Sequence, residues 1–328
     1  MATNVLIFVE HWRGQISDGT YEALALGREL ATALGGRLEA VLLGAAVREA
    51  AGKLGAADGV LLVEHRLLEE PIAELWSEAL AQVVKNESPR CMLIPLSNVT
   101  LEMGTLTAAR LRAAAIVACR DLSVSDGRLR AQCQLYGGKM MATVESAAEP
   151  VIVGVAPGAR PAEKARLEGS PPVRQLAYQP EREPRIRFCR YIEPEAGDID
   201  ITQQPLLVSV GRGIQNQENI ALAEELATAL GGAVAGSRPV IDQGWLPMSR
   251  QVGKSGMTVK PKLYLALGIS GAPEHQEGMR DSELIIAVNT DRSAPIFQVA
   301  HYGAAVDCLE LMPALTEQLK ASGKAKGA

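Results

Sequence analysis

The amino-acid sequence predicts an α/β protein built from two domains, each with a mostly parallel, doubly wound sheet. Short apolar runs typical of buried strands alternate with amphipathic helical stretches, as in strand–helix–strand units. The octapeptide ELATALGG occurs at residues 29–36 and again at residues 225–232, each time at the end of a helix that follows a strand. A length of 328 residues with 47% hydrophobic content suits two cores of about 100 to 200 residues each. Together these observations predict two Rossmann-like domains.

Residues 1–156 contain the elements of the predicted N-terminal domain. Residues 5–9 form an uninterrupted apolar run, and residues 20–34 form an amphipathic helix that Gly35 and Gly36 end. Alanine and leucine favour helices, so a chain rich in both can contain the same octapeptide twice by chance. Chance and a shared architectural role therefore explain the repeat equally well. The further predicted strands are residues 38–43, 60–63, 91–95 and 151–155, and the further predicted helices are residues 72–85 and 101–112. Alternation of this kind predicts a parallel sheet covered on both faces.

Residues 157–204 are rich in proline and charge, with the runs PGARPAEK, QPEREPR and EPEAGDID. Proline forbids long helices and interrupts strand ladders, so we expect a partly ordered connector with short strand-like pieces near Val173 and Arg185. Residues 205–320 form the predicted second domain, with strands at 206–210, 263–267 and 284–288 and helices at 219–230 and 309–319. The small, basic residues 321–328 predict a mobile tail.

Composition excludes several classes of function. The net charge is −5, and no local basic patch indicates binding to nucleic acid. The five cysteines are scattered without metal-ligand spacing, which is typical of reduced thiols in a cytosol-like compartment. The N-terminal residues lack the pattern of a signal peptide, and charges interrupt every apolar segment before it could span a membrane. We therefore expect a cytoplasmic protein without stable membrane insertion.

The turn Gly211-Arg212-Gly213 follows the first predicted strand of the second domain. It resembles the start of a dinucleotide-binding loop, but Asn216 stands where the third glycine of GxGxxG is required, so the fingerprint fails. Two interpretations remain open: a tight strand-to-helix turn without a ligand, and a turn that brings Arg212 to a phosphate.

Three more glycine-containing turns follow. GSR at residues 236–238 alone indicates only a turn. QVGKSG at residues 251–256 has glycines that let the backbone approach a ligand, together with a lysine ammonium and a serine hydroxyl, but it is too short for a P-loop, so nucleoside triphosphate hydrolysis is not predicted. GISGAPEHQ at residues 268–276 follows a strand and begins a helix, with Ser270 near the N-cap, Pro273 in the first turn and His275 just inside. Such a helix start suits an anion such as a pyrophosphate.

The order of these turns, followed by NTD at residues 289–291 and PIFQVAHYG at residues 295–303, resembles the FAD-binding domain of the electron transfer flavoprotein alpha subunit. The resemblance covers residues 206–319 in order and, more weakly, the βα pattern through Val155. It implies that the second domain holds FAD. Carried over position by position, the implied cofactor-binding residues are Arg212, Ser237, Arg238, Gln251, Val252, Gly253, Lys254, Ser255, Ser270, Gly271, Ala272, Pro273, Glu274, His275, Asn289 and Asp307.

The resemblance also implies individual roles. The side chain of Arg238 would lie against the flavin ring, the hydroxyl of Ser255 would bond flavin N5, His275 would reach the O2 edge and Asn289 would serve the ADP half. The chain departs from the family pattern at Lys254, where glutamine is common, and at the Pro273-Glu274 pair. Lys254 and Glu274 either alter the electrostatics of the ring or pair with each other, and the sequence leaves both alternatives open.

A departure at His301, where the family often has aspartate, has no role assigned by the sequence. The resemblance implies a heterodimer with a beta subunit that carries electrons from flavin dehydrogenases, such as acyl-CoA dehydrogenases, toward a membrane quinone reductase. No nucleophile–base constellation is present, as expected of an electron carrier whose cofactor supplies the chemistry. Two alternatives remain: an NADH-oxidising, electron-bifurcating flavoprotein with a second FAD, and a cofactor-free assembly protein of the same fold.

Overall fold

The computed structural model describes residues 2–136, 140–181, 183–191 and 199–325. The chain divides into two units after Arg190. The division lies within the predicted connector, and the N-terminal unit continues beyond residue 156. None of the helices in the described ranges combines the length and the apolar character needed to cross a lipid bilayer.

The N-terminal unit is built on one large sheet. Its strands, in chain order, are β1 (Val5–Phe8), β2 (His11–Trp12), β3 (Gln15–Ile16), β4 (Leu38–Gly44), β5 (Gly59–Glu64), β6 (Cys91–Pro95), β7 (Ala114–Ser125), β8 (Arg128–Leu135), β9 (Met140–Ser146), β10 (Val151–Val155) and β11 (Val173–Gln175). Within the described residues the sheet has the order β11-β5-β4-β1-β6-β10-β7-β8-β9, and β2 and β3 form a separate antiparallel hairpin. All neighbours from β11 to β7 are parallel, so the core of this sheet has the predicted character.

Helices cover both faces of this sheet. They are α1 (Asp18–Leu34), α2 (Ala73–Glu87) and α3 (Met103–Leu111), and short 3₁₀ turns lie at Arg48–Lys53, Arg66–Leu68 and Ala162–Lys164. Successive side chains of β1 point to opposite faces, with Val5 and Ile7 packed in the cluster that contains α1, and Leu6 and Phe8 in the cluster that contains α2 and α3. The predicted doubly wound arrangement is therefore confirmed in this unit.

An antiparallel arm extends the sheet beyond the predicted strands. Strands β7, β8 and β9 pair antiparallel over residues 119–146, with a register shift between Cys119 and Asp121. The alternation in RLRAQCQL places Leu129, Ala131 and Cys133 on a buried face and polar side chains on the other. One-sided burial of this kind gives a mixed polar and apolar pattern, which explains why a search for uninterrupted apolar runs missed the arm.

Part of the predicted connector belongs to the N-terminal unit. Strand β11 pairs with the edge strand β5. The buried carboxylate of Glu78 on α2 accepts hydrogen bonds from the hydroxyl of Tyr178 at 3.0 Å and from the backbone N–H of Glu181 at 2.9 Å. The N–H of Arg185 donates to Glu74, and no strand forms there. The connector is thus held against α2 as far as Arg185.

The C-terminal unit is built on a five-stranded sheet. Its strands are β12 (Leu206–Val210), β13 (Ala233–Gly236), β14 (Leu263–Leu267), β15 (Ile285–Val288) and β16 (Tyr302–Ala304), and its helices are α4 (Ile220–Leu230), α5 (Arg238–Asp242), α6 (Pro273–Glu277) and α7 (Cys308–Ala325). Short 3₁₀ turns lie at Ile201–Gln203, Arg212–Ile214, Gln217–Asn219, Met248–Arg250 and Pro295–Gln298. In the described residues the order is β13-β12-β14-β15-β16, and every pair is parallel.

The two copies of ELATALGG have the same structural role. The first ends α1 and the second ends α4, and in both a glycine, Gly35 or Gly231, takes the left-handed conformation and donates its N–H back to the last turn. Each helix then leads to the next parallel strand, β4 or β13. The repeat therefore marks two equivalent strand–helix–strand units. Helix α7 continues to Ala325, past residue 321 where the predicted tail begins, and residues 326–328 lie outside the described residues.

Candidate cofactor site

A cleft of about 720 Å³ lies at the carboxyl ends of the strands of the C-terminal sheet. Loops that follow β12, β13, β14 and β15 contribute to it, together with the turn at residues 251–255. Ligands of doubly wound sheets bind at this edge, beside the point where the strand order reverses, which here lies between β12 and β14. The lining residues are Arg212, Gly213, Ser237, Arg238, Pro239, Asp242, Gln251, Val252, Gly253, Lys254, Ser255, Gly268, Ile269, Ser270, Gly271, Ala272, Glu274, His275 and Asn289.

The structure brings together every predicted site residue except Pro273 and Asp307. Pro273 is exposed and is the first residue of α6, where its fixed φ suits the helix start. The carboxylate of Asp307 accepts a hydrogen bond from the N–H of Leu309 at 2.8 Å, so it caps the start of α7. Both residues therefore serve helix ends and lie outside the cleft. Five lining residues were not predicted: Gly213, Pro239, Asp242, Gly268 and Ile269.

The loops after β12 and β14 touch backbone to backbone. A Cβ atom added to Gly213 would lie 2.6 Å from the Cα of Gly268, and one added to Gly268 would lie 2.7 Å from the Cα of Gly213. The glycines that suggested a dinucleotide fingerprint are therefore needed for contact between two loops. Gly253 has φ +136°, a conformation that side chains rarely allow, and it lets the turn at residues 251–255 close over the start of α6.

The two arginine side chains that line the cleft differ in their ion-pair partners. The guanidinium of Arg212 is exposed and has no hydrogen-bond or ion-pair partner in the part of the chain that the structure describes. Arg238 lies 3.4 Å from the carboxylate of Asp242, one turn further along α5, and both side chains are mostly exposed. Arg212 is therefore the cation most available to a phosphate.

The ammonium of Lys254 lies 3.7 Å from the carboxylate of Glu277. The alternative that paired Lys254 with Glu274 is wrong for the side chains, because Glu274 meets Lys254 only through its backbone carbonyl, which accepts the Lys254 N–H at 2.7 Å. That backbone bond fixes the turn against α6 and leaves the ammonium beside Glu277, one turn further along the helix. Both charged groups are more than half exposed, so solvent screens their attraction.

His275 is buried at the wall of the cleft, and both of its ring nitrogens are bonded within the protein. Nδ1 lies 3.1 Å from the carbonyl oxygen of Val252, and Nε2 lies 2.9 Å from the hydroxyl of Tyr264. A carbonyl oxygen only accepts, so Nδ1 carries the proton, and Nε2 of the neutral ring accepts from the tyrosine hydroxyl. Burial lowers the pKa of His275 from its usual value of 6.5 to about 4, although the bond to Val252 acts in the opposite direction. His275 is thus neutral at physiological pH.

Tyr264 connects this pair to the middle of the sheet. Its ring is fully buried on β14, and burial raises the pKa of its hydroxyl. The Ser209 hydroxyl is the one buried side-chain polar atom of the described residues without a well-formed hydrogen bond, and it lies close enough to the phenol to lower its pKa in part. The sequence offered one signal for Tyr264, a single polar-tipped aromatic residue within an apolar strand.

The amides near the cleft mainly fix its loops. Asn289 donates to the carbonyl of Ile269 at 2.9 Å and accepts from the N–H of Asp291 at 2.9 Å. Gln251 donates to the hydroxyl of Ser255 at 2.9 Å. His301 lies outside the cleft, and its Nδ1 accepts from the N–H of Ile285 at 3.0 Å, which joins the loop before β16 to β15.

The sequence matches two family models. Residues 5–181 match the electron transfer flavoprotein domain, and residues 200–280 match the electron transfer flavoprotein FAD-binding domain. The second match covers most of the loops that line the cleft. The cofactor of this family domain is FAD, as predicted from the resemblance.

The residues around the cleft fit this cofactor. The volume lies within the range of about 300 to 1,000 Å³ that small-molecule and cofactor sites occupy. Arg212 supplies an unpaired guanidinium of the type that binds phosphate through two parallel hydrogen bonds. Ser255 supplies a hydroxyl, and the backbone of the glycine-containing turns is accessible along the cleft. Within the described residues, no group of three or more histidine, cysteine, aspartate or glutamate side chains could hold a metal ion.

Similar proteins cover the chain almost completely. It is 35% identical to the acryloyl-CoA reductase electron transfer subunit beta of Anaerotignum propionicum, over 97% of this chain and 95% of the relative. It is 34% identical to protein FixB of Clostridium saccharobutylicum over 96% of each chain, and 32% identical to the electron transfer flavoprotein subunit alpha of Clostridium acetobutylicum over 97% of each chain. With both family domains present in order, the chain belongs to the electron transfer flavoprotein family, in its alpha subunit and FixB group.

Proposed function

We propose that this chain is the FAD-holding subunit of a heterodimeric electron transfer flavoprotein. In this role it receives electrons from flavin dehydrogenases, such as acyl-CoA dehydrogenases, and passes them toward a membrane quinone reductase. The observation that carries the proposal is the cleft at the carboxyl ends of β12 to β15, within the matched FAD-binding domain. Bound FAD supplies the redox chemistry, because it accepts and releases electrons singly or in pairs.

Exposure at the rim of the cleft supports the need for a partner. Arg212, Arg238, Lys254 and Ser255 line the cleft and are exposed in this chain. A flat ring bound against these side chains would keep one face in water, whereas cofactor sites usually bury about 70 to 90% of the ligand surface. A beta subunit that covers the open side accounts for this difference.

Different residues of the cleft would contact different parts of the cofactor. Arg212 would bind the pyrophosphate, and Ser255 would present a hydroxyl to the flavin ring. His275 would form a neutral wall, since both of its nitrogens are already bonded within the protein. This assignment replaces the direct contact to the O2 edge implied for His275 by the resemblance, and Arg238 keeps the place against the ring that the resemblance implies.

A second candidate function is favoured by one relative's name. A chain 35% identical to this one is named as an electron transfer subunit of acryloyl-CoA reductase, so electrons there are delivered to a reductase. Such a reduction consumes electrons that NADH can supply, as in the alternative of an NADH-oxidising, bifurcating flavoprotein with a second FAD. The match to the FAD-binding domain leaves the cofactor-free assembly alternative without support.

Purification of the chain with and without a co-expressed beta subunit tests the proposal. The heterodimer should contain one FAD, and the chain alone should lose FAD on gel filtration. An acyl-CoA dehydrogenase with its substrate should bleach the bound flavin. Two FAD per heterodimer, with bleaching by NADH, would favour the bifurcating alternative. Equal FAD retention by the isolated chain would contradict the heterodimer.

A further inference from the structure

The turn at residues 251–256 contains a side-chain hydrogen bond that the family resemblance does not account for. Nε2 of Gln251 lies 2.9 Å from Oγ of Ser255. The two residues differ in burial, because Gln251 is only 2% exposed, whereas Ser255 is exposed on the cleft side of the turn. A buried amide therefore holds an exposed hydroxyl.

The backbone of Gln251 is fixed on both sides. Its N–H donates to the carbonyl of Met248 at 3.0 Å, and its carbonyl accepts from the N–H of Met257 at 2.7 Å. A bridge to Gly236 joins the same residue to the end of β13. These contacts hold the backbone of Gln251 in place in the absence of a ligand, so its side-chain amide extends from a fixed position.

The direction of this hydrogen bond determines what Ser255 offers to the cleft. An amide NH₂ group only donates, so Oγ of Ser255 is the acceptor. A hydroxyl has a single proton, and that proton must point away from the donor that approaches its oxygen. No acceptor within the described residues bonds the Ser255 hydroxyl, so its proton is available to a ligand.

We propose that Gln251 is a positioning residue that makes Ser255 a hydrogen-bond donor toward the oxidised flavin ring. This inference rests on the proposed function, because it concerns the cofactor of the same cleft. The edge of an oxidised isoalloxazine carries acceptors, including N5, and reduction converts N5 into an N–H donor. A hydroxyl whose proton is directed at the ring therefore suits the oxidised ring better than the reduced one, although its second lone pair can still accept a hydrogen bond. Gln251 in this way biases the cleft toward oxidised FAD through the Ser255 hydroxyl.

A double-mutant cycle on the heterodimer tests the proposal. Gln251→Met keeps the length of the side chain and removes the amide, so the hydroxyl can rotate. We expect oxidised FAD to bind about three- to tenfold more weakly, the effect of one ordinary hydrogen bond. Reduced FAD should be affected less, so the flavin midpoint potential should rise, by up to about 30 mV for a tenfold change in the two-electron ratio. In a Ser255→Ala background Gln251→Met should have no such effect, and Ser255→Thr should restore it.

Gln276→Met is the matched control. The Gln276 amide also lies near the cleft, but it donates to the carbonyls of Gly271 at 2.7 Å and Pro295 at 3.2 Å and does not contact Ser255. Its effect on FAD should be the same with serine or alanine at residue 255. If Gln251→Met acts equally in both backgrounds, or leaves oxidised and reduced FAD binding unchanged, the proposal is overturned.

A cofactor-free measurement separates this proposal from the proposed function. In the chain without FAD, NMR should show slowed hydrogen exchange of the Gln251 side-chain amide, and Ser255→Ala should reduce the protection to the part that burial alone provides. If the wild-type heterodimer holds no FAD, the proposed function fails, while the amide exchange still decides whether the hydrogen bond exists. Absence of protection in a folded chain overturns the proposal by itself.

Discussion

The hydroxyl of Tyr264 lies 2.9 Å from Nε2 of His275, and both side chains are buried beside the cofactor cleft. The bond closes a network in which the other ring nitrogen donates to the carbonyl of Val252. Every polar atom of the imidazole is satisfied only when the ring is neutral with its proton on Nδ1. The wall of the cleft therefore carries no positive charge at this position.

Replacement of His275 by glutamine should reduce the acid sensitivity of the fold. The pKa of His275 is lowered to about 4 in the folded chain, so between pH 6.5 and 4 the unfolded chain binds a proton that the folded chain excludes. Stability is thus fully present above pH 6.5 and is lost as the pH falls. Urea denaturation of the wild-type chain should show about 2 kcal/mol lost from this group between pH 7.5 and 5. His275→Gln should lose correspondingly less, and an identical pH dependence in both chains would contradict the assignment.

Tyr264→Phe should raise the pKa of His275. The change removes the hydroxyl that donates to Nε2 and so removes a bond made only to the neutral ring. The unfolding free energy should also fall by about 1 to 3 kcal/mol, because a buried nitrogen is left without a partner. An NMR titration of the histidine ring protons measures the first effect. Tyr302→Phe is the control, since Tyr302 is 67% exposed in the same unit and should change neither quantity.

Arg212→Gln should weaken FAD binding by about tenfold or more. A charge-assisted hydrogen bond to a phosphate contributes about 1.5 to 3 kcal/mol, and each 1.4 kcal/mol corresponds to a factor of ten. The loss should be larger at low salt than at high salt, because solvent ions screen an exposed guanidinium. Isothermal titration of the heterodimer with FAD at two salt concentrations measures both. Arg280→Gln, an exposed change in the same unit but outside the cleft, should have little effect. Equal losses in the two variants would show that general charge, not a specific contact, is responsible.

Glu277→Gln should raise the flavin midpoint potential slightly, whereas Glu274→Gln should not act through Lys254. The Lys254 ammonium lies 3.7 Å from Glu277, and loss of that carboxylate frees a positive charge that favours reduced, anionic flavin. Because both groups are exposed, solvent should limit the effect of the uncovered charge on the flavin to at most about 1 kcal/mol, which corresponds to a shift of about 20 mV or less for two electrons. Lys254→Gln should shift the potential in the opposite direction. If neither Glu277→Gln nor Lys254→Gln changes the midpoint potential in a potentiometric titration, the charge of Lys254 does not influence the flavin.

The sequence predicted the parallel strands well because such strands are buried on both faces. Residues 263–267 form an uninterrupted apolar run, residues 206–210 are apolar except for Ser209, and β14 and β12 have these bounds. The arm of β7 to β9 is not predicted because β8 buries only one face, β9 buries neither, and the register shift after Cys119 interrupts the alternation. The sequence pattern places β11 in the connector because no local signal reports its pairing with β5, which lies more than a hundred residues earlier.

The loops of the site were predictable, but their contacts were not. Four of the lining loops directly follow strands, and parallel strands bring their carboxyl ends to one edge. The ion pairs Arg238–Asp242 and Lys254–Glu277 depend on the direction in which side chains leave the short helices α5 and α6. The sequence does not predict that direction. The bond between Tyr264 and His275 depends on the packing of α6 against β14, which no local pattern reports.

The contact between Gly213 and Gly268 has a consequence for how the protein can change over time. At this contact the two loops meet backbone to backbone. A side chain added to either glycine would collide with the opposite loop, so substitution at one of these positions is not tolerated without a shift of the main chain. The mouth of the cleft therefore has a width set by the main chain. Substitutions that alter the electron-carrying properties are therefore expected among the side chains that line the cleft. Because the backbone around the cleft stays in place, these side chains can be replaced one at a time.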